Sequence, residues 1–217
     1  MWLFDLDNTL YPTTSGIFAQ VDALIVGYVM RLLDLELEVA RALKKRYVVE
    51  HGSTLRALMD RHGVEPIEFM AEVHRVDLTA VNPSPALGAA LEALPGRKLV
   101  FTNASSDHAE RVLARLGVAG HFEDIFDIVA ADFVPKPRPA AYDALVARHD
   151  IDPRRTVFLE DMARNLVPAA ALGMTTVWVA HDGEWGRAGA EDGDIHHVAE
   201  DLVTWLQWAG NGHAACR

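Results

Sequence analysis

Trp2-Leu3-Phe4-Asp5-Leu6-Asp7-Asn8-Thr9 opens the chain with an apolar run that ends in acid. Residues 2–6 have the length and aromatic content of a strand buried on both faces. An acid at the end of such a strand is costly unless something compensates it. Asp5 and Asp7 also point to the same side of an extended chain, where like charges repel. Two readings account for the pattern. Asp7-Asn8 can be the turn that ends the strand, or the acids can hold a divalent cation, since hard oxygen ligands suit magnesium.

Working outward, apolar runs of similar character recur at 98–101, 125–130, 156–159 and 175–179. Helix-length stretches lie between and after them, at 107–116, 140–149, 163–172 and 198–208. Ser106 or Asp107 is expected to cap the first, and Gly117 and Gly173 to stop two of them. Strand–helix alternation predicts a Rossmann-like α/β fold: a parallel sheet between two helical layers, with right-handed crossovers. Those crossovers align the strand C-termini along one edge, where ligands bind in such folds.

The alternation breaks after the first strand. Ile17, Val21, Leu24, Tyr28 and Leu32 recur at helical spacing, and further helices are expected at 35–47, 54–62 and 66–75. An inserted, all-helical cap of about 70 residues is predicted over 13–85, with a core formed by 1–12 and 86–217. Asn82-Pro83-Ser84-Pro85 reads as the return hinge, because each proline biases its predecessor away from helix.

Composition narrows the function classes. The 217 residues carry 20 Lys plus Arg against 31 Asp plus Glu, a formal charge of −11. So acidic a chain offers no footprint for nucleic acid or an anionic membrane, and any phosphate must be held by a local device. The single cysteine, Cys216, allows no internal disulfide and is too terminal for a convincing nucleophile. Acids at the fifth and seventh positions interrupt what a signal peptide would need, and no apolar run reaches a membrane-spanning length. A soluble, cytoplasmic protein is expected.

Polar groups also stand at the ends of the other predicted strands: Thr102-Asn103 after the second, Glu160-Asp161 after a later one, and Lys136 before a helix. Each alone has a bland reading as a cap, a dipole-favoured acid or a surface lysine. Together they gather a hydroxyl, a lysine and four carboxylates on one sheet edge. DLDNT at 5–9, FTNAS at 101–105, PKPRP at 135–139 and LEDMARN at 159–165 resemble the four ordered motifs of the haloacid dehalogenase superfamily. DLDNTLYP at 5–12, residues 51–59 and residues 73–77 are similar to its pyrimidine 5′-nucleotidase branch.

The resemblance implies a Mg2+-dependent phosphatase acting through an aspartyl-phosphate, hydrolysing a small phosphate ester such as a pyrimidine nucleoside 5′-monophosphate, as a monomer or homodimer. Asp5 would be the nucleophile and Asp7 the general acid–base. Asp5, the Asp7 backbone carbonyl and Asp161 would hold the metal, with Glu160 acting through a water. Thr102 and the Asn103 N–H would bind the phosphoryl oxygens, and Lys136 would screen the phosphoryl group and Asp5. Asn165 stands where many relatives have a second acid; it can orient a metal-bound water. Arg138 departs from the usual KPxP motif, and Arg75 from the acid common in that branch. His51 and His74 are candidate contacts to a base or ribose, Tyr11 and Pro12 candidate pocket walls. His196-His197 with Asp192 and Asp194 suggest a weaker second metal site, and Trp178, Trp185, Trp205 and Trp208 read as packing residues. Alternatives are a phosphatase or phosphomutase acting on sugar phosphates or phosphoglycolate, a dehalogenase, and a non-catalytic phosphate- or metal-binding module.

Overall fold

The computed structural model describes residues 1–183 and 186–213; Trp185, Cys216 and the side chain of Asp192 lie outside the described residues. Its strands are β1 (Trp2–Phe4), β2 (Lys98–Phe101), β3 (Asp124–Phe126), β4 (Val157–Glu160), β5 (Thr175–Val179) and β6 (His197–Ala199). They form one parallel sheet in the order β3-β2-β1-β4-β5-β6. The helices are α1 (Ile17–Leu33), α2 (Leu37–His51), α3 (Thr54–His62), α4 (Pro66–Val73), α5 (Pro85–Ala93), α6 (Ser106–Leu116), α7 (Pro139–His149), α8 (Leu166–Ala171) and α9 (Leu202–Trp208). This is the expected Rossmann-like α/β fold with helices inserted after the first strand.

Alternation along the strands builds two cores. Phe4, Val100, Leu159 and Val177 face a layer containing Leu91 of α5, Val112 of α6 and Leu206 of α9. Leu3, Leu99, Phe101 and Phe158 face the opposite layer, with Tyr142 and Leu145 of α7 and Leu166 of α8. Burial on both faces explains why these strands read as continuous apolar runs rather than alternating ones. Helices α1–α4 share a third core, including Val29, Tyr47, Leu58, Phe69 and Val73, which also takes Ile128 from the loop after β3.

Several boundaries differ from the sequence reading. β3 stops at Phe126 because Asp127 turns the chain: its Oδ1 accepts from Ala130 N at 2.8 Å and its Oδ2 from Ser106 N at 2.9 Å. Ser105, not Ser106 or Asp107, caps α6 by accepting from His108 N. The stretch 163–172 begins as a 3₁₀ turn at Ala163–Asn165 before α8, and α9 starts only at Leu202, where Asp201 caps it. Two elements were not anticipated. β6 is three residues beginning at His197, too short for a period to show. α5 starts at the proline read as part of the hinge; at the first helical position proline forfeits no hydrogen bond, and Ser84 caps it.

Candidate active site

β1 lies between β2 and β4, so the loops leaving the three central strands meet at the point where the strand order reverses. There Asp5, Asp7, Thr102, Asn103, Lys136, Glu160 and Asp161 line a single cleft of ≈ 1800 Å³, together with Tyr11, Pro12, His74, Asn165 and Trp178. Residues of the inserted helices, among them Val26, Lys44 and Met70, form part of its wall.

Asp5 continues the register of β1, its N–H bonded to Leu159 O at 2.9 Å. The turn that follows keeps Thr9 and Leu10 N–H on Leu6 O and puts Asn8 at φ 61°, a conformation asparagine tolerates better than most residues. It folds Thr9 back so that its hydroxyl donates to Asp5 Oδ2 at 3.1 Å. The other oxygen, Oδ1, accepts from Lys136 Nζ at 2.7 Å.

Lys136 is not the surface lysine of the bland reading. It is 1% exposed, and its ammonium also reaches Glu160 Oε2 at 2.6 Å and Phe101 O at 2.8 Å. Three acceptors satisfy its three protons. Asn103 fixes the backbone that carries it, accepting from Lys136 N at 2.8 Å and donating to Lys136 O at 3.3 Å. Burial would lower the lysine's proton affinity, but Asp5 and Glu160 outweigh that and raise it. Thr102 Oγ1 accepts from Ala104 N at 3.0 Å, which leaves its own proton uncommitted in a buried position.

One lysine does not neutralise the acids around it. Asp5 is pushed up to about 7 by burial and by the charge of Glu160, and Glu160 likewise to about 7 by burial. Asp161 is raised by burial too. Ligand oxygens of Asp5, Glu160 and Asp161 lie within 4.8 Å of one another, all three residues buried. Asn165 Oδ1, in the same cleft wall, is buried without a hydrogen-bond partner among the described residues. An excess of buried anionic oxygens plus an orphaned carbonyl is a donor set that fits a hard cation. Both oxygens of Glu160 are engaged, by Lys136 Nζ at 2.6 Å and Met162 N at 3.2 Å, as both oxygens of Asp5 are by Lys136 Nζ and Thr9 Oγ1.

Asp7 has different surroundings. Both Tyr11 Oη and His108 Nε2 contact its Oδ1, the latter at 2.9 Å. Burial would raise its carboxyl, but the hydrogen bonds from His108 and Tyr11 hold it below the ordinary aspartate range. The two carboxyls are thus shifted in opposite directions, Asp5 toward holding a proton and Asp7 toward ionisation.

Other candidates fall elsewhere. His51 sits in a surface network with Asp60 and Arg61, and Arg138 donates to His51 O at 3.3 Å, away from the acids. His74 lines the cleft but is buried, bonded to Ser105 Oγ at 2.9 Å and stacked on His108. His196 Nδ1 engages Thr176, and His197 packs against Trp205 and Trp208, an arrangement that gathers no ligand set there among the described residues. Trp178 does more than pack: its Nε1 donates to Asp161 O at 2.7 Å. His181, whose Nε2 lies 3.3 Å from Asp161 Oδ2, and His108 were not foreseen. His108 had a visible signal, since it sits on the stripe of α6 shared with Ala109, Val112 and Leu116.

A buried aspartate, a lysine and an acid pair thus meet at the switch point of the sheet. The family model described as haloacid dehalogenase-like hydrolase matches residues 2–173, and the chain belongs to that family. It is 26% identical to an enolase-phosphatase E1 of Acidiphilium cryptum over 93% of this chain and 91% of that one. Another enolase-phosphatase E1, of Frankia alni, is 42% identical over 31% of this chain, and the match spans only 28% of that relative's length. Among solved structures, a HAD phosphatase from Thermococcus onnurineus aligns with TM-score 0.61 at 17% identity, covering 96% of this chain and 97% of that one. An L-2-haloacid dehalogenase from Xanthobacter autotrophicus aligns with TM-score 0.57 at 15% identity, over 96% and 97%. Both structural likenesses are likenesses of fold.

Proposed function

We propose that this chain is a phosphatase of small phosphate monoesters that works through an aspartyl-phosphate on Asp5. The observation that carries this reading is the convergence of Asp5, Glu160 and Asp161 within 4.8 Å beside Lys136. A carbon–halogen displacement also needs an aspartate, but it has no use for a cation-binding trio or for a separate acid at Asp7. Those groups would then be buried charges without a task.

In this reading Asp5 attacks phosphorus and forms the acyl-phosphate, while Asp7, protonated when the anionic ester stands beside it, gives that proton to the departing alkoxide. Water then attacks the acyl-phosphate, Asp7 takes its proton, and inorganic phosphate leaves with Asp5 restored. Lys136 and the Thr102 hydroxyl stabilise the transferring phosphoryl oxygens. Magnesium, when bound by Asp5, the Asp7 carbonyl and Asp161, supplies positive charge where two anions must meet. Glu160, engaged by Lys136 and Met162 N, would act on the ion through a water. The domain division is proposed as 13–85 for the cap and the remainder for the core.

For the substrate, the branch-like segments at 5–12, 51–59 and 73–77 support a pyrimidine nucleoside 5′-monophosphate. The match to enolase-phosphatase E1 over nearly the whole chain favours a second reading, an enolase-phosphatase-type substrate. The test is hydrolysis of p-nitrophenyl phosphate in magnesium and in EDTA, followed by a panel of nucleoside monophosphates, sugar phosphates, phosphoglycolate and enol phosphates. Turnover that needs magnesium supports the phosphatase. No turnover in magnesium overturns it, and a clear preference for sugar or enol phosphates overturns the nucleotide reading.

A further inference from the structure

Resting on the phosphatase reading, we propose that His108 is the positioning residue for Asp7, and that His74, on the segment returning from the inserted helices, clamps the His108 ring in place. His108 is fully buried on the inner stripe of α6, and its Nε2 reaches Asp7 Oδ1 at 2.9 Å across 101 residues of sequence. Its Nδ1 is buried with no hydrogen-bond partner among the described residues, where the ring has one polar task, the bond to Asp7. Neutral imidazole with its proton on Nε2 meets this geometry, donating to the carboxylate and leaving Nδ1 as the bare lone pair.

The direction of the bond matters for chemistry. Tyr11 and His108 converge on the same oxygen, Oδ1, and no hydrogen bond engages Oδ2 among the described residues. The carboxylate is thereby held at one oxygen while the other is left to carry a proton to a leaving group and to collect one from water. A carboxylate free to rotate would present the wrong oxygen part of the time, and misplacement of an acid–base group costs rate without costing substrate binding.

His74 completes the device. Its ring stacks on His108 with centroids 4.5 Å apart and planes 19° from parallel, and its Nδ1 is bonded to Ser105 Oγ at 2.9 Å. Ser105 is the residue that caps α6, accepting from His108 N, so the same serine ties the stack to the helix that carries His108. Arg111 of α6 donates to His74 O at 2.8 Å, a second tie between that helix and the returning segment. The ring stack and both helix contacts therefore restrain one bond, that from His108 to Asp7.

The experiment compares kcat/KM for two magnesium-supported substrates. p-Nitrophenyl phosphate has a leaving group that departs without a proton, whereas β-glycerophosphate leaves as an alkoxide that needs one. His108→Leu is expected to lower kcat/KM for β-glycerophosphate about 10- to 100-fold while changing that for p-nitrophenyl phosphate less than about 3-fold. His108→Gln, whose amide places a donor near the Nε2 position, is expected to recover most of the loss. His74→Ala, which removes the clamp and leaves both Asp7 and His108 in place, is expected to show the same selectivity with a smaller drop. It also answers the question should His108→Leu fail to fold. An equal loss on both substrates, or a His108→Gln variant no better than His108→Leu, overturns the positioning role alone. No hydrolysis of either substrate by the wild-type protein brings down the phosphatase reading and this role together.

Discussion

Lys136 Nζ lies 2.7 Å from Asp5 Oδ1, joining residues 131 positions apart in a pocket where both are almost wholly buried. Glu160 shares the same ammonium at 2.6 Å. Removing one partner of a buried ion cluster costs more than the cluster contributes, because the other charges stay behind uncompensated. Lys136→Met, nearly isosteric but uncharged, is expected to destabilise the metal-free protein by about 3–5 kcal/mol near pH 8. Urea unfolding in EDTA measures it. A loss under about 1 kcal/mol would mean that the two acids find other compensation.

Asp5→Asn keeps the volume and removes the nucleophile. Phosphatase activity should vanish while the circular dichroism spectrum is unchanged. Asp7→Asn should lose about 10²- to 10⁴-fold in turnover of alkyl phosphates and can accumulate the phosphorylated enzyme, detectable by intact mass. A wild-type rate from Asp7→Asn would refute its acid–base assignment.

The raised carboxyls give a signed dependence on pH. Burial and Glu160 push Asp5 up to about 7, and burial pushes Glu160 to about 7 as well. Between their unfolded values near 4 and about 7 the folded protein binds more protons at these sites than the unfolded chain. Their contribution to stability is therefore full below about pH 4 and is lost as pH rises through about 7. In EDTA, the melting temperature of Asp5→Asn relative to wild type should climb over that interval, because the variant has no carboxyl to ionise there. Scanning calorimetry at half-unit pH steps reads it, and a flat difference contradicts the assignment. Magnesium should raise the wild-type melting temperature most at the alkaline end, where its ligands are ionised.

The sheet was legible because parallel strands buried on both faces leave uninterrupted apolar runs, as in Leu99-Val100-Phe101 and Val157-Phe158-Leu159. The gathering of Asp5, Thr102, Lys136 and Asp161 was legible for a related reason: crossovers put every strand C-terminus on one edge. What escaped is whatever depends on side chains meeting from distant segments. Nothing local marks Trp178 as the partner of the Asp161 carbonyl, or His108 as the partner of Asp7. Short elements escaped too: β6 has three residues, and the proline that starts α5 looks the same in sequence as one that breaks a chain.

Trp178 offers a test of how firmly Asp161 is held. Its indole N–H donates to Asp161 O at 2.7 Å from the neighbouring strand, so the bond fixes the backbone that aims the Asp161 carboxylate at Asp5 and Glu160. Outer contacts of this kind orient metal ligands, and losing one typically costs 10- to 100-fold in metal affinity. Trp178→Phe keeps a flat aromatic ring but has no donor. The magnesium concentration giving half-maximal phosphatase activity is expected to rise about 10-fold, with turnover at saturating magnesium close to wild type. Isothermal titration with magnesium on the resting protein should show the same shift. An unchanged magnesium requirement would mean that Asp161 is set by its own strand and by His181, and that the indole serves packing alone.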